Sequence, residues 1–378
     1  MINIYQPSLG QEELDAIERV FKSNWLGKGK LTEKFVEKFS LKLKSHPDNF
    51  KTICSCTEGL FQSMNILEIG EGDEVILPSI SFVGAANAIV NCGAKPIFCD
   101  VDSRTLNVSA DDIEKNITNK TKAVIILHYA GVPCDMSEIV DLCDRHNIKL
   151  IEDNANSPVS KYNNQFTGTI GDIGLWSFDA MKILVMGDGG LVYCKDLELA
   201  KRLDYEAYLG LKSASGFSNS IDTKWWEFDI ELPGRRVIIN DVTAAIGLEQ
   251  LKKLDGFISR RKEIHTMYNN ALKHMDWIDV PQEIPANKES SYYMYHIQTD
   301  KRDELARYLK DNEVYTSFRY YPLHKVKYYD NGLSLKNTEK IMDRTLCLPL
   351  HQSLTDDEVH YICDTIFNFN NTFYRSLI

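Results

Sequence analysis

Short apolar segments alternate with segments of helical periodicity through the first half of the chain. Three of the apolar segments are EVIL at 74–77, AVIILH at 123–128 and KLIE at 149–152, and helical patterns separate them. This alternation is typical of a mostly parallel sheet with helices on both faces. We therefore predict an α/β fold. Its right-handed crossovers place the carboxyl ends of the strands on one edge, where ligands bind.

Polar residues follow the predicted strands at that edge. They are residues 55–58 after the first strand, 79–82 after the second, His128 and Tyr129 after AVIIL, and Asp153 after KLIE. Because the carboxyl ends of parallel strands meet at one edge, we expect these residues to approach one another. The sequence therefore predicts a functional site there.

The length of the chain predicts more than one domain. At 378 residues it is long for a single core. Residues 281–290 contain two prolines and no periodicity, which is typical of a boundary. We predict a large domain over residues 1–280 and a small α+β domain over residues 281–378.

Charge and cysteine content limit the partners. The net charge of −11 disfavours binding to a phosphate backbone, so no nucleic acid is expected. No apolar run is long enough to span a bilayer, and the first residues lack the features of a signal peptide. The nine cysteines are scattered, and the Cys54–Cys56 pair has no second pair to complete a metal site. We predict a cytoplasmic protein with reduced thiols and neither a metal nor a membrane partner.

Residues 171–190, GDIGLWSFDAMKILVMGDGG, contain a lysine in a distinctive setting. Lys182 lies five residues after Ser177 and five before Gly187, downstream of the strand-end residue Asp153. An aspartate can pair with a protonated pyridine nitrogen, and a lysine can bond to an aldehyde and move protons at the adjacent carbon. These residues suit pyridoxal 5′-phosphate (PLP). Patterns typical of dinucleotide sites, P-loops and serine hydrolases are missing from the sequence.

Other residues at the predicted edge suit the remaining parts of that cofactor. Residues 55–58 join a strand to a helix, whose free backbone amides and dipole favour a phosphate. The Ser177 hydroxyl can donate to the same phosphate, and the Phe82 ring can lie flat on a pyridine. Each signal is weak alone, and the order and spacing of the set carry the prediction.

Many segments also occur in the order seen in the DegT/StrS family of sugar aminotransferases. Among them are CTEGL, EGDEVILPSISFVGAANAI, IEDNAN, GTIGDIGLWSF, GDGG, NDVTAAIGLEQL, YYPLH and LPLHQSLTDDEV. The chain resembles this family almost throughout and looks most similar to its GDP-perosamine-synthase type. The resemblance implies an aspartate-aminotransferase-like fold (PLP fold type I) with a mostly parallel seven-stranded sheet. It also implies PLP, and a homodimer with active sites at the interface.

The resemblance implies roles for individual residues. Lys182 would bond to the cofactor, Asp153 would pair with its pyridine nitrogen, and Phe82 would stack on its ring. Related members that dehydrate their substrate carry histidine at the lysine position, so Lys182 favours transamination.

The phosphate-binding residues follow from the same resemblance. Thr57, Glu58 and Ser177 would hold the phosphate. Cys56 lies in the same turn, where the family usually has glycine.

Two further positions depart from the family pattern. Asn156 stands where glutamine or histidine usually contacts the phenolic oxygen of the cofactor, and its side chain is shorter. Arg236 stands where an asparagine usually reaches the phosphate of the partner subunit. We hypothesise that Arg236 or Arg235 replaces this asparagine with a charge-assisted phosphate contact. The alternative is a surface arginine.

Substrate-binding residues are predicted with alternatives. Trp25, Tyr320 and His324 lie where family members often contact substrate, some from the neighbouring subunit. His128 ends a strand near the site, but a structural histidine is an equal alternative. The Trp225–Trp226 pair is interpreted as covering a base or sugar, or else as a packing or dimer feature.

The resemblance implies transfer of an amino group from L-glutamate to a nucleotide-linked keto sugar, and we favour a 4-keto-6-deoxyhexose. Alternatives on the same scaffold are amination of a 3-keto sugar and a PLP-dependent dehydration. A non-enzymatic PLP-binding regulator is a third interpretation, and the acidic composition counts against it.

Overall fold

The computed structural model describes residues 1–211 and 228–375. Trp225 and Trp226 lie outside these residues. The helices of the described chain are α1 (Gln11–Lys22), α2 (Lys30–Lys42), α3 (Cys56–Ile66), α4 (Val83–Asn91), α5 (Ala110–Glu114), α6 (Met136–His146), α7 (Leu197–Glu206), α8 (Asp241–Leu272), α9 (Arg302–Asp311), α10 (Lys336–Met342) and α11 (Asp356–Arg375). Its strands are β1 (Phe50–Ile53), β2 (Glu74–Pro78), β3 (Lys95–Cys99), β4 (Thr121–Leu127), β5 (Lys149–Asp153), β6 (Lys161–Tyr162), β7 (Gln165–Phe166), β8 (Ile173–Ser177), β9 (Gly190–Cys194), β10 (Lys288–Glu289), β11 (Tyr295–Gln298) and β12 (Thr345–Leu348).

Seven strands form the large sheet, in the order β1-β9-β8-β5-β4-β2-β3. Neighbouring strands from β8 through β3 are parallel, and β9 is antiparallel to both β1 and β8. Only β9 therefore runs in the reverse direction. The prediction of a mostly parallel seven-stranded α/β fold is confirmed, whereas β8 and β9 were not predicted individually as strands.

Helices cover both faces of this sheet because its strands alternate their side chains. In β2, Val75 and Leu77 point to the face that packs on α3 and α4, while Ile76 points to the opposite face, in a cluster with α6 residues. All three side chains are fully buried. Strands buried on both faces explain the continuous apolar runs in the sequence.

A second core lies in the C-terminal part of the chain. There β11 pairs antiparallel with β12. The far half of α8 packs into the same cluster through Ile264, Tyr268 and Leu272, which are fully buried. This 32-residue helix spans about 48 Å and joins the two cores. The domain boundary at residue 280 stays a prediction. None of the described helices is long and apolar enough to cross a membrane.

The residues just before β11 do not pair with β12. The amides of Ser291 and Tyr293 donate to the carbonyls of Gly131 and Ala130, just beyond the end of β4. Pairing as a strand therefore begins only at Tyr295. This detour fixes Tyr293 beside the carboxyl edge of the large sheet.

Candidate active site

The sheet register brings distant segments together at its carboxyl edge. On β9, Gly190 lies opposite both Ile53 of β1 and Ser177 of β8. Asp153 of β5 lies between Leu127 of β4 and Leu175 of β8. The start of α3, the end of β5 and the turn after β8 therefore converge, as the sequence predicted.

Asp153 is a buried carboxylate with spare capacity to accept hydrogen bonds. Its side chain is 2% exposed, its Oδ1 accepts the amide of Ala155 at 2.9 Å, and the Cys56 thiol lies 4.0 Å from the same oxygen. Burial raises the pKa of Asp153, while the Ala155 amide and the charge of Lys182 oppose that rise. A protonated pyridine nitrogen would stabilise the carboxylate further.

Lys182 follows β8 on a turn in which its amide donates to the carbonyl of Asp179 at 2.9 Å. Its Nζ lies 5.0 Å from the centre of the Tyr293 ring. Burial alone would lower the pKa of Lys182, but Tyr293, Tyr320 and Asp153 outweigh it and raise the pKa. The lysine and the aspartate thus interact electrostatically without forming a direct salt bridge in the described structure.

The start of α3 provides open backbone amides. The Ser55 hydroxyl caps the helix by accepting the amide of Glu58 at 3.1 Å, which leaves the amides of Cys56 and Thr57 without acceptors inside the helix. Gly190 keeps this surface clear, because a Cβ there would lie 2.7 Å from the Cys56 nitrogen. The helix start therefore has the geometry and the dipole for a phosphate.

Glu58 is engaged differently from the prediction. Its carboxylate is paired with Arg235 and accepts the side-chain amide of Gln62 at 2.9 Å, and its backbone amide is used by Ser55. A carboxylate repels a phosphate. The geometry gives a phosphate-binding role to Cys56 and Thr57 and offers no support for one at Glu58.

Phe82 and Tyr320 form one aromatic wall near the helix start. Their ring centres are 6.0 Å apart in an edge-on arrangement, and Phe82 is 42% exposed. A Cβ at Gly84 would lie 3.1 Å from both the Phe82 ring and Thr57 Cγ2, so the ring lies close to the open amides. Burial raises the pKa of Tyr320 to about 12, even though Lys182 lowers it, so its hydroxyl remains a donor at neutral pH.

Asn156 and Ser81 have buried polar atoms that are available to a ligand. Asn156 is fully buried, yet neither its side-chain oxygen nor its nitrogen has a hydrogen-bond partner in the described structure. The Ser81 hydroxyl, one residue before Phe82, is also buried without a partner. A buried polar group without a partner costs about 1–3 kcal/mol. These orphan atoms, the open α3 amides and the unsaturated Asp153 fit PLP.

His128 and His324 are satisfied by other groups. Both are 0% exposed. The backbone amide of Cys134 donates to His128 Nδ1 at 3.1 Å, so its Nε2 carries the proton and donates to Glu152 at 3.1 Å. His324 bonds to the hydroxyl of Ser79 at 2.6 Å and to Glu339 at 3.3 Å. Neither ring has a nitrogen left for substrate, so the structural alternative is favoured for His128, and the predicted substrate contact of His324 is not supported.

Trp25 and Arg236 lie on the surface of the single chain. Trp25 is 59% exposed beside a groove of about 1270 Å³ between α1, α2 and α8, which Lys182 does not line. Arg236 is exposed and its guanidinium lies 5.8 Å from the centre of the Tyr208 ring. Within one chain, neither Trp25 nor Arg236 lies near Lys182. Ser177, another predicted residue, is half-buried at the end of β8.

Three residues near Lys182 were missed from the sequence. Tyr5 stacks on Tyr293 with ring centres 5.4 Å apart, and the Arg319 guanidinium lies 4.6 Å from the centre of the Tyr5 ring. No local pattern marks Tyr5, because its partners Tyr293 and Arg319 lie close to the other end of the chain.

A mostly parallel sheet that presents a buried aspartate, a turn lysine and an open helix start on one edge defines a PLP-dependent enzyme of fold type I. Residues 7–367 match the DegT/DnrJ/EryC1/StrS aminotransferase family, and the chain belongs to this family. The predictions of family, fold and cofactor are thus confirmed, and the protein is a PLP-dependent aminotransferase.

Two characterised relatives extend over nearly the whole chain. The dTDP-4-dehydro-2,3,6-trideoxy-D-glucose 4-aminotransferase of Saccharopolyspora spinosa is 47% identical over 96% of this chain and 95% of its own. The GDP-perosamine synthase of Escherichia coli O157:H7 is 35% identical over 97% of this chain and 98% of its own. The chain is therefore more similar to the first enzyme than to the type that the sequence suggested, although both are relatives.

Solved structures agree with the fold. The aminotransferase TlmJ from Streptoalloteichus hindustanus has a TM-score of 0.94 and 45% identity, covering 99% of this chain and 100% of its own. A protein described as a sugar aminotransferase from Streptococcus pneumoniae, solved in its PLP form, has a TM-score of 0.90 and 25% identity, covering 98% of this chain and 99% of its own.

Proposed function

We propose that this aminotransferase moves an amino group from L-glutamate to a nucleotide-linked 4-keto-6-deoxy sugar. The observation that carries the proposal is Lys182, which lies near the buried Asp153 at an edge with unfilled polar positions. A lysine here favours transamination over dehydration. The 4-aminotransferase named from S. spinosa supports C4 as the ketone position.

PLP, when bound, supplies the electron sink that stabilises negative charge at the carbon next to the reacting nitrogen. Asp153 would pair with the pyridine nitrogen and favour its protonated form, because a buried carboxylate gains most from a cationic partner. In the first half-reaction Lys182 would accept the proton that leaves the α-carbon of the amino acid, and in the reverse-direction half-reaction it would donate a proton to the sugar carbon that gains nitrogen.

Lys182 must lose its positive charge before it can act as a base, because only a neutral amine accepts a proton. Asp153 is one of the groups that raise the pKa of Lys182. When the carboxylate of Asp153 is paired with a cation, it stabilises the ammonium of Lys182 less. Asp153 paired with a cationic ring nitrogen would therefore leave Lys182 more readily in its neutral, basic form.

The remaining residues would orient the cofactor and shield it from water. The amides of Cys56 and Thr57, with the Ser177 hydroxyl, would hold the phosphate, and Asn156 would donate to the phenolic oxygen. Phe82 and Tyr320 would enclose the ring and exclude water, and the raised pKa of Tyr320 keeps its hydroxyl available as a donor.

We further place the active enzyme as a homodimer in the cytoplasm. Trp25 and Arg236 are exposed on a single chain, and a second copy can bring them to the neighbouring site, as the family resemblance implies. All nine cysteines are free thiols, which is typical of a reducing compartment. An Arg236→Ala variant that kept full PLP affinity would remove Arg236 from the phosphate site.

The test separates the donor from the acceptor. PLP-loaded protein is mixed with L-glutamate, and loss of the visible absorbance of the lysine-bound cofactor with formation of 2-oxoglutarate is expected. Lys182→Ala should lack both the absorbance band and turnover, whereas the exposed control Lys252→Ala should match the unmodified protein.

A panel of nucleotide-linked 3-keto and 4-keto sugars then identifies the acceptor, with products assigned by mass and NMR. Amination at C3, or loss of water without nitrogen gain, would replace the proposed reaction by one of the two alternatives. Absence of any glutamate conversion by well-folded, PLP-loaded protein would favour the regulator.

A further inference from the structure

Arg319 carries a charge that the described chain leaves without a counter-ion. Its side chain is half-buried, and the Met181 sulfur, at 3.4 Å, is the only acceptor of its guanidinium within residues 1–211 and 228–375, while the guanidinium lies 4.6 Å from the centre of the Tyr5 ring. None of the salt bridges among the described residues includes Arg319. Most other arginines differ, as Arg202 and Arg260 each bind two carboxylates. A half-buried guanidinium without a counter-ion can accept an anionic ligand.

Two hydroxyls beside Arg319 also lack partners. The hydroxyl groups of Tyr5 and Tyr293 are buried and make no hydrogen bond in the described structure. The two rings stack 5.4 Å apart, and burial raises the pKa of Tyr5 well above its ordinary value, so its hydroxyl stays protonated. One guanidinium and two unfilled hydroxyl donors therefore lie together, and all are donors suited to an anion.

This group of donors adjoins the reactive lysine. Met181, which contacts Arg319, is the residue before Lys182, and the Nζ of Lys182 lies 5.0 Å from the centre of the Tyr293 ring. The phosphate-binding amides belong to a different element, the start of α3. A ligand that met both Lys182 and Arg319 would carry its reacting atom close to its negative charge.

We infer that Arg319, assisted by the hydroxyls of Tyr5 and Tyr293, binds a carboxylate of the amino-acid donor. This inference rests on the proposed aminotransferase function. The α-carboxylate of an amino acid is bonded to the very carbon that loses its proton to Lys182. The diphosphate of a nucleotide sugar lies across the sugar ring from a C4 ketone, so it is separated from the lysine by the width of that ring. A planar carboxylate also matches the two-pronged donor geometry of a guanidinium.

The experiment compares Arg319→Gln and Arg319→Lys with Arg307→Gln, a control at an exposed arginine. Each PLP-loaded variant is mixed with L-glutamate, and the half-reaction is followed by absorbance over a range of donor concentrations. The donor concentration at half-maximal rate should rise about 10–100-fold in Arg319→Gln, because a charge-assisted hydrogen-bond pair is lost. Arg319→Lys should recover part of this loss.

A second readout measures binding without chemistry. Glutarate, a dicarboxylate with no amine, should compete with glutamate in the unmodified protein and about 10-fold less well in Arg319→Gln. PLP affinity and the half-reaction with the keto-sugar acceptor should stay unchanged. Tyr5→Phe should weaken glutamate binding by a smaller factor, and it tests the same group if Arg319→Gln does not fold.

The possible failures are distinguishable. Unmodified protein that does not convert glutamate refutes the proposed function itself. If unmodified protein converts glutamate and Arg319→Gln does so with the same concentration dependence, the inference is wrong. It is also wrong if Arg319→Gln weakens only the sugar-nucleotide half-reaction, which would assign the guanidinium to the diphosphate, or only PLP affinity.

Discussion

Replacing Asn156 by leucine should stabilise the cofactor-free chain while weakening the cofactor site. Asn156 is fully buried with both side-chain polar atoms unpaired, and leucine has a similar size and no polar atoms. Since a buried unpaired polar group costs about 1–3 kcal/mol, Asn156→Leu should leave the free energy of unfolding unchanged or raise it by up to that amount. An asparagine that is hydrogen-bonded within the protein would instead lower the free energy of unfolding when it is replaced by leucine.

The same substitution should also lower the affinity for PLP. A hydrogen bond to a charged oxygen contributes about 1.5–3 kcal/mol, so Asn156→Leu should weaken PLP affinity about 10–100-fold. Urea denaturation of the PLP-free protein gives the first quantity, and titration of the visible absorbance with PLP gives the second.

Asn154 is the matched control, because it is equally buried but satisfied. Its side-chain nitrogen donates to the Glu152 carbonyl at 3.3 Å and its oxygen accepts the Ser157 hydroxyl at 3.0 Å. Asn154→Leu should therefore destabilise the chain by about 1–3 kcal/mol. The reasoning is refuted if Asn156→Leu destabilises the PLP-free chain as much as Asn154→Leu and leaves PLP affinity intact.

Three further predictions follow from single contacts. Asp153→Asn should lower the pKa of Lys182 in PLP-free protein, since one of the groups that raise it is removed, and the pH dependence of amine acylation at Lys182 measures this; an unchanged profile would contradict the coupling. Gly190→Ala should weaken PLP binding and destabilise the chain by about 1–3 kcal/mol, because its Cβ would lie 2.7 Å from the Cys56 nitrogen, and equal PLP titrations would be evidence against the open cradle. Gly256→Ala, in α8 with no heavy atom within 4 Å of the new Cβ, should instead raise the free energy of unfolding by about 0.5–1 kcal/mol in urea, and a loss of stability would contradict it.

The sheet was predictable because its information is local. Val75, Ile76 and Leu77 are apolar in succession, as a strand buried on both faces requires, and the separating helices have their own periodicity. The edge that collects Asp153 and the α3 start follows from the handedness of the crossovers. β9 was missed because its reversed direction depends on pairing with β1 and β8 rather than on its own residues.

The hydrogen-bond partners of individual buried side chains could not be predicted from the sequence. The family pattern suggested both His324 and Asn156 as binding residues. His324, however, is hydrogen-bonded to Ser79, which lies 245 positions away, whereas the Asn156 side chain has no hydrogen-bond partner among the described residues. The cluster of Tyr5 with Arg319 likewise depends on packing between opposite ends of the chain. Such contacts are set by the tertiary structure, and one sequence carries no local trace of them.

The last two residues of β5 show how the fold separates scaffold from chemistry. Glu152 and Asp153 are adjacent and both buried, but strand alternation sends them to opposite faces of the sheet. The Glu152 carboxylate accepts the amides of Gly168, Ile170 and Gly171 as well as the His128 ring, so its capacity is filled. Asp153, on the face that holds α3, accepts one backbone amide among the described residues. A carboxylate with four such donors anchors a loop, whereas one that accepts a single backbone amide and a thiol at 4.0 Å, and has a raised pKa, is prepared to take a cationic ring nitrogen. The alternation of one strand therefore assigns the first carboxylate to the fold and the second to the cofactor.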